Sequence, residues 1–507
     1  MNTVKNGDVA TENPGQLLLL TIGVCLASGM QSMDTFLSGI ALPKMMGSFS
    51  TSYDEISWVL TAYLIAVAVF TPLTAWLGRR FGRKRVLLIG IVGFVIASTF
   101  AGRSDNLLEI VTCRFIQGVF GAPLVPVAQQ ILLDAWPKER HNIALGWFSV
   151  GMMVGLIVGP VLGGFLTEFY SWRWNYYVNI PGGVTAFVLI FSFVRENDPD
   201  KTRNFDLTGF LLLGTFLICL QWILDRGQKQ SWFQSNEIII ATAVAGCALY
   251  LFIIHIFTAR RPFVDPSLFK DRNFAICSSY LILNGIMMFG FIALFPALLQ
   301  NYMGYPVLDS GLILTPRGIA TMFASVFVGH ILARIGPKPL IVAASILMGT
   351  SFFFLARITP DIDSISLVVL IALQGVSFGF FSTTLTASAY SNLPNELRPD
   401  ATAFQALSRR IGASIGVSVL VAQLLRYQQT NRSMLGENIS LYNDRFRHMA
   451  LPEDLNMLDQ SGLHAFGKMI NEQAEFIAFL DCFNFLVWVC FFTAVGAFFI
   501  KTTKKKT

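Results

Sequence analysis

Two charged side chains interrupt apolar stretches of this 507-residue chain where water is scarce. Asp34 lies in an apolar run that spans about 17–42, some 8 residues before its end. At ~1.5 Å per residue that is roughly 12 Å below the surface. Arg114 lies about 7 residues into the run 107–133, roughly 10 Å deep. An ionised carboxylate at such depth is costly unless it is paired, hydrated or protonated. Burial favours its neutral form and a nearby cation its ionised form. A carboxylate between those two influences can take up and release a proton. Opposite charges at matching depth permit a pair, so Asp34 and Arg114 are the candidate proton-coupling residues. The plainer reading makes Asp34 a packing residue satisfied by Ser32, Thr35 or Ser38. Arg114 would then snorkel past Leu107 and Leu108.

Gln31, Gln117 and Arg317 also fall inside apolar runs and are candidates to line a substrate cavity. Arg409 and Arg410 lie about 8 residues from a run's end, within snorkelling reach of the surface. A cationic substrate would compete with the proton for Asp34. Gly151, Gly155, Gly159-Pro160 and Gly163-Gly164 form a ladder at helical spacing. Small residues at i and i+4 let helices approach closely, and an internal Pro permits a kink. The ladder reads either as static packing or as a seam at which two halves rock.

The elements that position these residues follow from composition. Hydrophobic residues make up 54% of the chain and charged ones 13%, against about 25% in soluble domains. That excludes a soluble, disordered or collagen-like chain and predicts an all-α polytopic membrane protein. Fourteen apolar runs are predicted as spans: 17–42, 56–77, 86–102, 107–133, 142–166, 176–194, 205–224, 237–258, 273–296, 308–332, 339–356, 365–389, 401–425 and 479–500. Basic residues concentrate in alternate loops, including Arg79, Arg80, Arg83, Lys84, Arg85, Lys138, Arg140, Arg260, Arg261 and Arg334. Those loops are expected in the cytoplasm, with both termini. The +6 net charge is thus a topology signal, and no nucleic-acid partner is expected. Trp172, Trp174, Tyr176 and Tyr177 fit an interfacial aromatic belt.

An internal repeat organises the spans. Arg80-Phe81-Gly82-Arg83-Lys84 is echoed by Arg334-Ile335-Gly336-Pro337-Lys338, and Gln117-Gly118-Val119 by Gln374-Gly375-Val376. Gly155 and Gly159 are echoed by Gly412 and Gly416. One offset of about 255 residues links all three. The expected organisation is a tail 1–16, a six-helix half 17–200, and two inserted helices 205–258. A second six-helix half 273–500 follows, with an extracytoplasmic loop 426–478, then a basic tail 501–507. Parallel six-helix halves are a transporter architecture that binds substrate between them.

Cysteine and histidine spacing gives no metal site or disulfide framework. No phosphate-binding loop or hydrolase motif is present, so no enzymatic activity or cofactor is expected. Transport would draw on an ion gradient, with the proton as coupling ion.

These residues resemble the major facilitator superfamily, and within it the fourteen-span drug:proton antiporters of the EmrB/QacA type. Met33-Asp34-Thr35 with Ala41-Leu42-Pro43 resembles the first-helix motif. Arg114-Phe115-Ile116-Gln117-Gly118 with Gly121 resembles the fourth-helix motif, whose Arg serves proton coupling. Gly151 through Gly164 resembles the fifth-helix antiporter motif, and Trp172-Arg173-Trp174 with Asn179-Ile180-Pro181-Gly182 the segment before span six. Leu224-Asp225-Arg226-Gly227 and Val264 through Phe269 resemble the EmrB branch. Leu77 through Arg85, with Arg79, Arg80, Gly82, Arg83 and Lys84, resembles the cytoplasmic loop motif. That motif usually has Asp at the place of Arg79 and Gly at that of Ala75, so the family's charge lock between halves is in question here. The resemblance implies proton-driven efflux of small lipophilic or amphipathic toxic compounds by alternating access. It implies a bacterial inner membrane, with a periplasmic adaptor and an outer-membrane channel as partners. The alternatives are a dedicated exporter of a metabolite, fatty acid or siderophore, and a non-transporting membrane scaffold or sensor.

Overall fold

The computed structural model describes residues 14–499 except 52, 57, 138–139, 197–204, 228–229, 260–261, 263–264, 391–392, 395–396 and 439–459. The expected tail 501–507, nearly all of 1–16 and the centre of 426–478 lie outside the described residues.

Every regular element among the described residues is helical. In hydrocarbon each backbone N–H and C=O must be satisfied within its own segment, which a helix achieves. The first half contains α1 (Pro14–Phe49), α2 (Tyr53–Ile56), α3 (Trp58–Phe70), α4 (Leu73–Phe81), α5 (Arg83–Arg103) and α6 (Leu107–Gly121). It continues with α7 (Pro126–Ala135), α8 (His141–Phe169), α9 (Trp174–Tyr177) and α10 (Asn179–Phe193). Then come α11 (Leu207–Arg226) and α12 (Asn236–Thr258). The second half contains α13 (Arg272–Asn301), α14 (Val307–Ile335), α15 (Pro337–Leu355), α16 (Ser364–Tyr390), α17 (Arg398–Asn438) and α18 (Gln460–Gly496).

The breaks have local causes. Pro72 lacks an N–H and clashes with the preceding turn, so α3 and α4 meet at a 57° bend. Asn106 caps α6 by accepting from the Glu109 N–H at 2.9 Å, and Asp271 caps α13 from the Phe274 N–H at 2.9 Å. Glu109 is thereby a surface helix-start residue.

Twelve helices among the described residues are long and apolar enough to cross a membrane, or thirteen with the bent α3–α4 pair. The expected fourteen is not reached on that criterion. The segment predicted as the thirteenth span is helical, but Arg409 and Arg410 at one end and Arg426 at the other interrupt its apolar stretch. That helix nonetheless packs against α13, α18, α7 and α4. It runs 13 residues past the predicted end at 425, and α18 starts 19 residues before the predicted start at 479. Gln428 bonds Glu475 across the pair, and Asn431 donates to Asp481 at 3.0 Å. Polar cross-links therefore carry these helices on beyond the apolar core.

The packing partners recur. α1 packs on α8 and α10 as α13 packs on α17 and α18. α6 packs on α3 and α5 as α16 packs on α14 and α15. Gly82 and Gly336, at matching places in the two loop motifs, have φ of 92° and 86°. Both motifs thus turn through the left-handed region, where only Gly is unstrained. α11 and α12 pack chiefly on each other, with α11 also touching α3 and α17. His255 closes that pair through Asp206 at 2.9 Å. Outward faces carry Phe100, Leu108, Phe169, Phe257 and Phe327, as lipid contact requires.

Candidate functional site

Asp34 projects from α1 into the interior of the first half and is fully buried. Its Oδ2 accepts from Arg114 Nη1 at 2.6 Å. Its Oδ1 accepts from Gln117 Nε2 at 2.9 Å and from Asn179 Nδ2 at 2.8 Å. Arg114, also fully buried, donates from Nη1 to Gln117 Oε1 at 2.8 Å and from Nε to the Val59 carbonyl at 3.2 Å. Its guanidinium lies over the Tyr63 ring at 4.2 Å and near Tyr176 at 5.7 Å. Burying two opposite charges is tolerable when the remaining lone pairs and protons are also satisfied. Here both carboxylate oxygens are satisfied.

The structure therefore brings Asp34, Arg114 and Gln117 together. In this arrangement Asp34 has no exposed surface. Gln31 donates to the Gly121 carbonyl at 2.8 Å, tying α1 to α6. A cleft lies between α1, α8, α13 and α14, bordered by Phe36, Leu156, Pro160, Ile292, Leu314 and Arg317. Of the three expected cavity residues only Arg317 borders it. The two glutamines are consumed in the first half's own polar network.

Asn179, Ser98, Tyr63 and Tyr176 were not singled out for this cluster by sequence reasoning. Asn179 also donates to Ser98 Oγ at 3.0 Å, and Ser98 to the Tyr176 carbonyl at 2.8 Å. The available signal was Asn179 in the segment before span six. The interfacial-belt reading is corrected for Tyr176 and Trp172, both buried, whereas Trp174 is exposed. Trp172 instead donates to Ser48 Oγ at 3.0 Å and meets Phe49 edge-on.

The glycine ladder lies against the helix that carries Asp34. A Cβ at Gly155 would sit 2.1 Å from the Gly29 carbonyl oxygen, and one at Gly151 2.5 Å from Cys25 Cβ. Gly159 and Gly163 face Met33, Phe36 and Leu37, whereas Gly164 faces open space. The ladder thus packs within its own half rather than across the halves. The contact between halves uses other parts of α8. A Cβ at Gly146 would be 2.6 Å from the Ser325 carbonyl, and Gly318 abuts Ile157. Pro160 reaches the cleft. In the second half, Gly412 and Gly416 of α17 sit as closely on Ile282 and Ile286 of α13.

The loop motif joins the halves at their other end. Arg79 forms a two-pronged ion pair with Asp400 at the start of α17, with Nη1 to Oδ2 at 2.9 Å. The lock doubted from the Arg79 substitution is present with its charges exchanged. Gln130 Nε2 donates to Thr402 Oγ1 at 2.5 Å, two residues further along. Arg83 pairs with Asp134, and Lys84 donates to the Phe191 carbonyl at 2.7 Å. Arg80 heads the same turn, next to Arg79.

Comparisons with known proteins agree with this geometry. The multidrug export protein EmrB of Escherichia coli K12 is 32% identical over 92% of each chain. The fatty acid resistance protein FarB of Neisseria gonorrhoeae is 29% identical over 88% of this chain and 87% of its own. The solved proton:xylose symporter XylE shares the fold, with a TM-score of 0.59 at 14% identity, covering 98% of each chain. With residues 24–417 matching the model of the Major Facilitator Superfamily, the chain is a multi-pass membrane protein belonging to that superfamily.

Proposed function

We propose that the chain is a proton-driven exporter of hydrophobic and amphipathic compounds, working by alternating access. Asp34 is the proton carrier and Arg114 its counter-charge. The observation that carries this reading is the fully buried Asp34–Arg114 pair, on the helix against which the glycine ladder packs. Three donors converge on the carboxylate: Arg114, Gln117 and Asn179. A proton arriving on Asp34 adds a fourth hydrogen among donors, and the network must rearrange. The names of the relatives, multidrug export and fatty acid resistance, support export as the direction.

On this reading α17 is the thirteenth of fourteen spans, and the halves are 17–200 and 273–500 with α11 and α12 outside them. Both termini and the loop motif face the cytoplasm of a bacterial inner membrane. The segment 426–478 faces the opposite side, toward a periplasmic adaptor and outer-membrane channel.

Substrate-stimulated proton release from purified protein tests the reading, using a panel of lipophilic compounds. The wild-type chain releases protons on substrate addition and Asp34→Asn does not. Transport by Asp34→Asn at the wild-type rate under a proton gradient would overturn the assignment.

A further inference from the structure

The charge left open in the interior is positive. Arg317 projects from α14, 8 residues inside the end of its span at Asp309, roughly 12 Å deep. It is 6% exposed and borders the cleft between the halves. Its flanks are aromatic faces, Phe291 at 5.1 Å and Phe378 at 5.7 Å. Among the described residues, its guanidinium has no hydrogen-bond acceptor and no carboxylate within 4.0 Å. The backbone beneath it is fixed: Thr321 Oγ1 lies 2.8 Å from the Arg317 carbonyl and 2.9 Å from that of Gly375. A Cβ at Gly375 would lie 2.2 Å from the same Arg317 carbonyl. The backbone that carries the side chain is therefore held close against α16.

A guanidinium so little exposed and without an acceptor is costly unless water or an anion meets it from the cleft. Asp34 cannot, because its oxygens are already taken by Arg114, Gln117 and Asn179. Arg409 and Arg410, farther along the interior on α17, add positive charge and also form no ion pair among the described residues.

We propose that the cleft selects anionic amphiphiles, with a carboxylate headgroup seated on Arg317. The apolar body lies along Phe36, Leu156, Pro160, Ile292 and Leu314. The planar fork of Arg317 matches a carboxylate two-pronged, and such charge-assisted bonds are the strong ones. A cationic amphiphile meets an uncompensated like charge in the same place and is rejected, so specificity has a repulsive component. This proposal rests on the export reading and adds the sign of the cargo.

The test is binding to the full chain in phosphatidylcholine nanodiscs at pH 7.5, measured calorimetrically against empty discs. The probes are octanoate, 1-octanol and octylammonium, which share one apolar chain. The wild-type protein binds octanoate at least tenfold more tightly than octylammonium. Arg317→Met loses at least tenfold in octanoate affinity and changes 1-octanol affinity by less than threefold. Arg317→Lys keeps the preference for octanoate over octylammonium while binding it more weakly. The wild-type ranking and the lysine variant decide the matter even where the methionine variant does not fold. Equal binding of octanoate and octylammonium by the wild type, or an octanoate affinity untouched by Arg317→Met, overturns the proposal. No proton gradient enters this assay, so loss of the anion preference leaves the Asp34 assignment standing, and failure of Asp34 leaves the preference measurable.

Discussion

Removing Asp400 should loosen the end of the molecule at which the loop motif sits. Asp400 is 3% exposed and Arg79 14%, and they meet only because α4 of one half lies beside α17 of the other. With Asp400→Asn the guanidinium stays largely buried without its anion. Breaking a fully buried pair this way costs about 3–5 kcal/mol, and the partial exposure of Arg79 reduces that to about 2–3 kcal/mol. Separation of the halves returns Arg79 to water, so that cost shifts the balance toward the separated state. At 1.4 kcal/mol per tenfold the shift is about 30- to 140-fold. Thr402, fully buried two residues along, reports it. In a chain whose seven native cysteines are replaced, Thr402→Cys reacts with a membrane-impermeant maleimide. The expected rate rises about 30-fold or more on adding Asp400→Asn, and comparably with Arg79→Gln. Exchanging the charges, Arg79→Asp with Asp400→Arg, restores the polarity usual for this motif. It should bring the rate back to within about fivefold of the parent, a coupling that only a double-mutant cycle reveals. Unchanged rates in the single variants, or an exchanged pair no slower than either of them, would refute the reasoning.

Gly155→Ala places a methyl 2.1 Å from the Gly29 carbonyl, so α1 and α8 must part; overpacking costs about 1–3 kcal/mol, and a thermal melt should show it clearly. Gly164→Ala has nothing within 4 Å and should leave the melt unchanged or slightly raised. Gly82→Ala and Gly336→Ala should each destabilise by about 1–2 kcal/mol, because both positions need positive φ; unequal losses would argue against equivalent turns. Arg114→Lys gives up the Nε bond to Val59 and the planar stack on Tyr63, so substrate-stimulated proton release should not recover. Glu437→Cys should react with an impermeant reagent only from the non-cytoplasmic side, and reaction from the cytoplasmic side would reverse the assigned topology.

Charges in apolar runs are conspicuous, so Asp34 and Arg114 could be read from sequence together with their common depth. Their neutral partners could not. Tyr63 and Tyr176 are ordinary residues for a membrane boundary, and only three-dimensional packing turns them inward over Arg114. Gln117 was visible as a polar residue in a span, but its role depends on whether its amide meets a carboxylate or a cavity. Arg79 was visible as a departure from the loop motif. Its compensation lies 321 residues away at Asp400, beyond any local pattern. Span boundaries were legible wherever lipid ends and charge begins. They were not at α17 and α18, where the helices outlast the hydrocarbon because polar cross-links sustain them.

That continuation has a mechanical consequence. With 41 residues α17 is roughly 60 Å long, about twice the ~30 Å hydrocarbon thickness. Asp400 sits near its first residue and Asn438 is its last. A rigid tilt of about 5° around the Asp400 end would displace the far tip by about 5 Å. The helix is a lever with its short arm at the lock between the halves. A small rearrangement at the lock is delivered, magnified, to whatever rests against the far end of the helix.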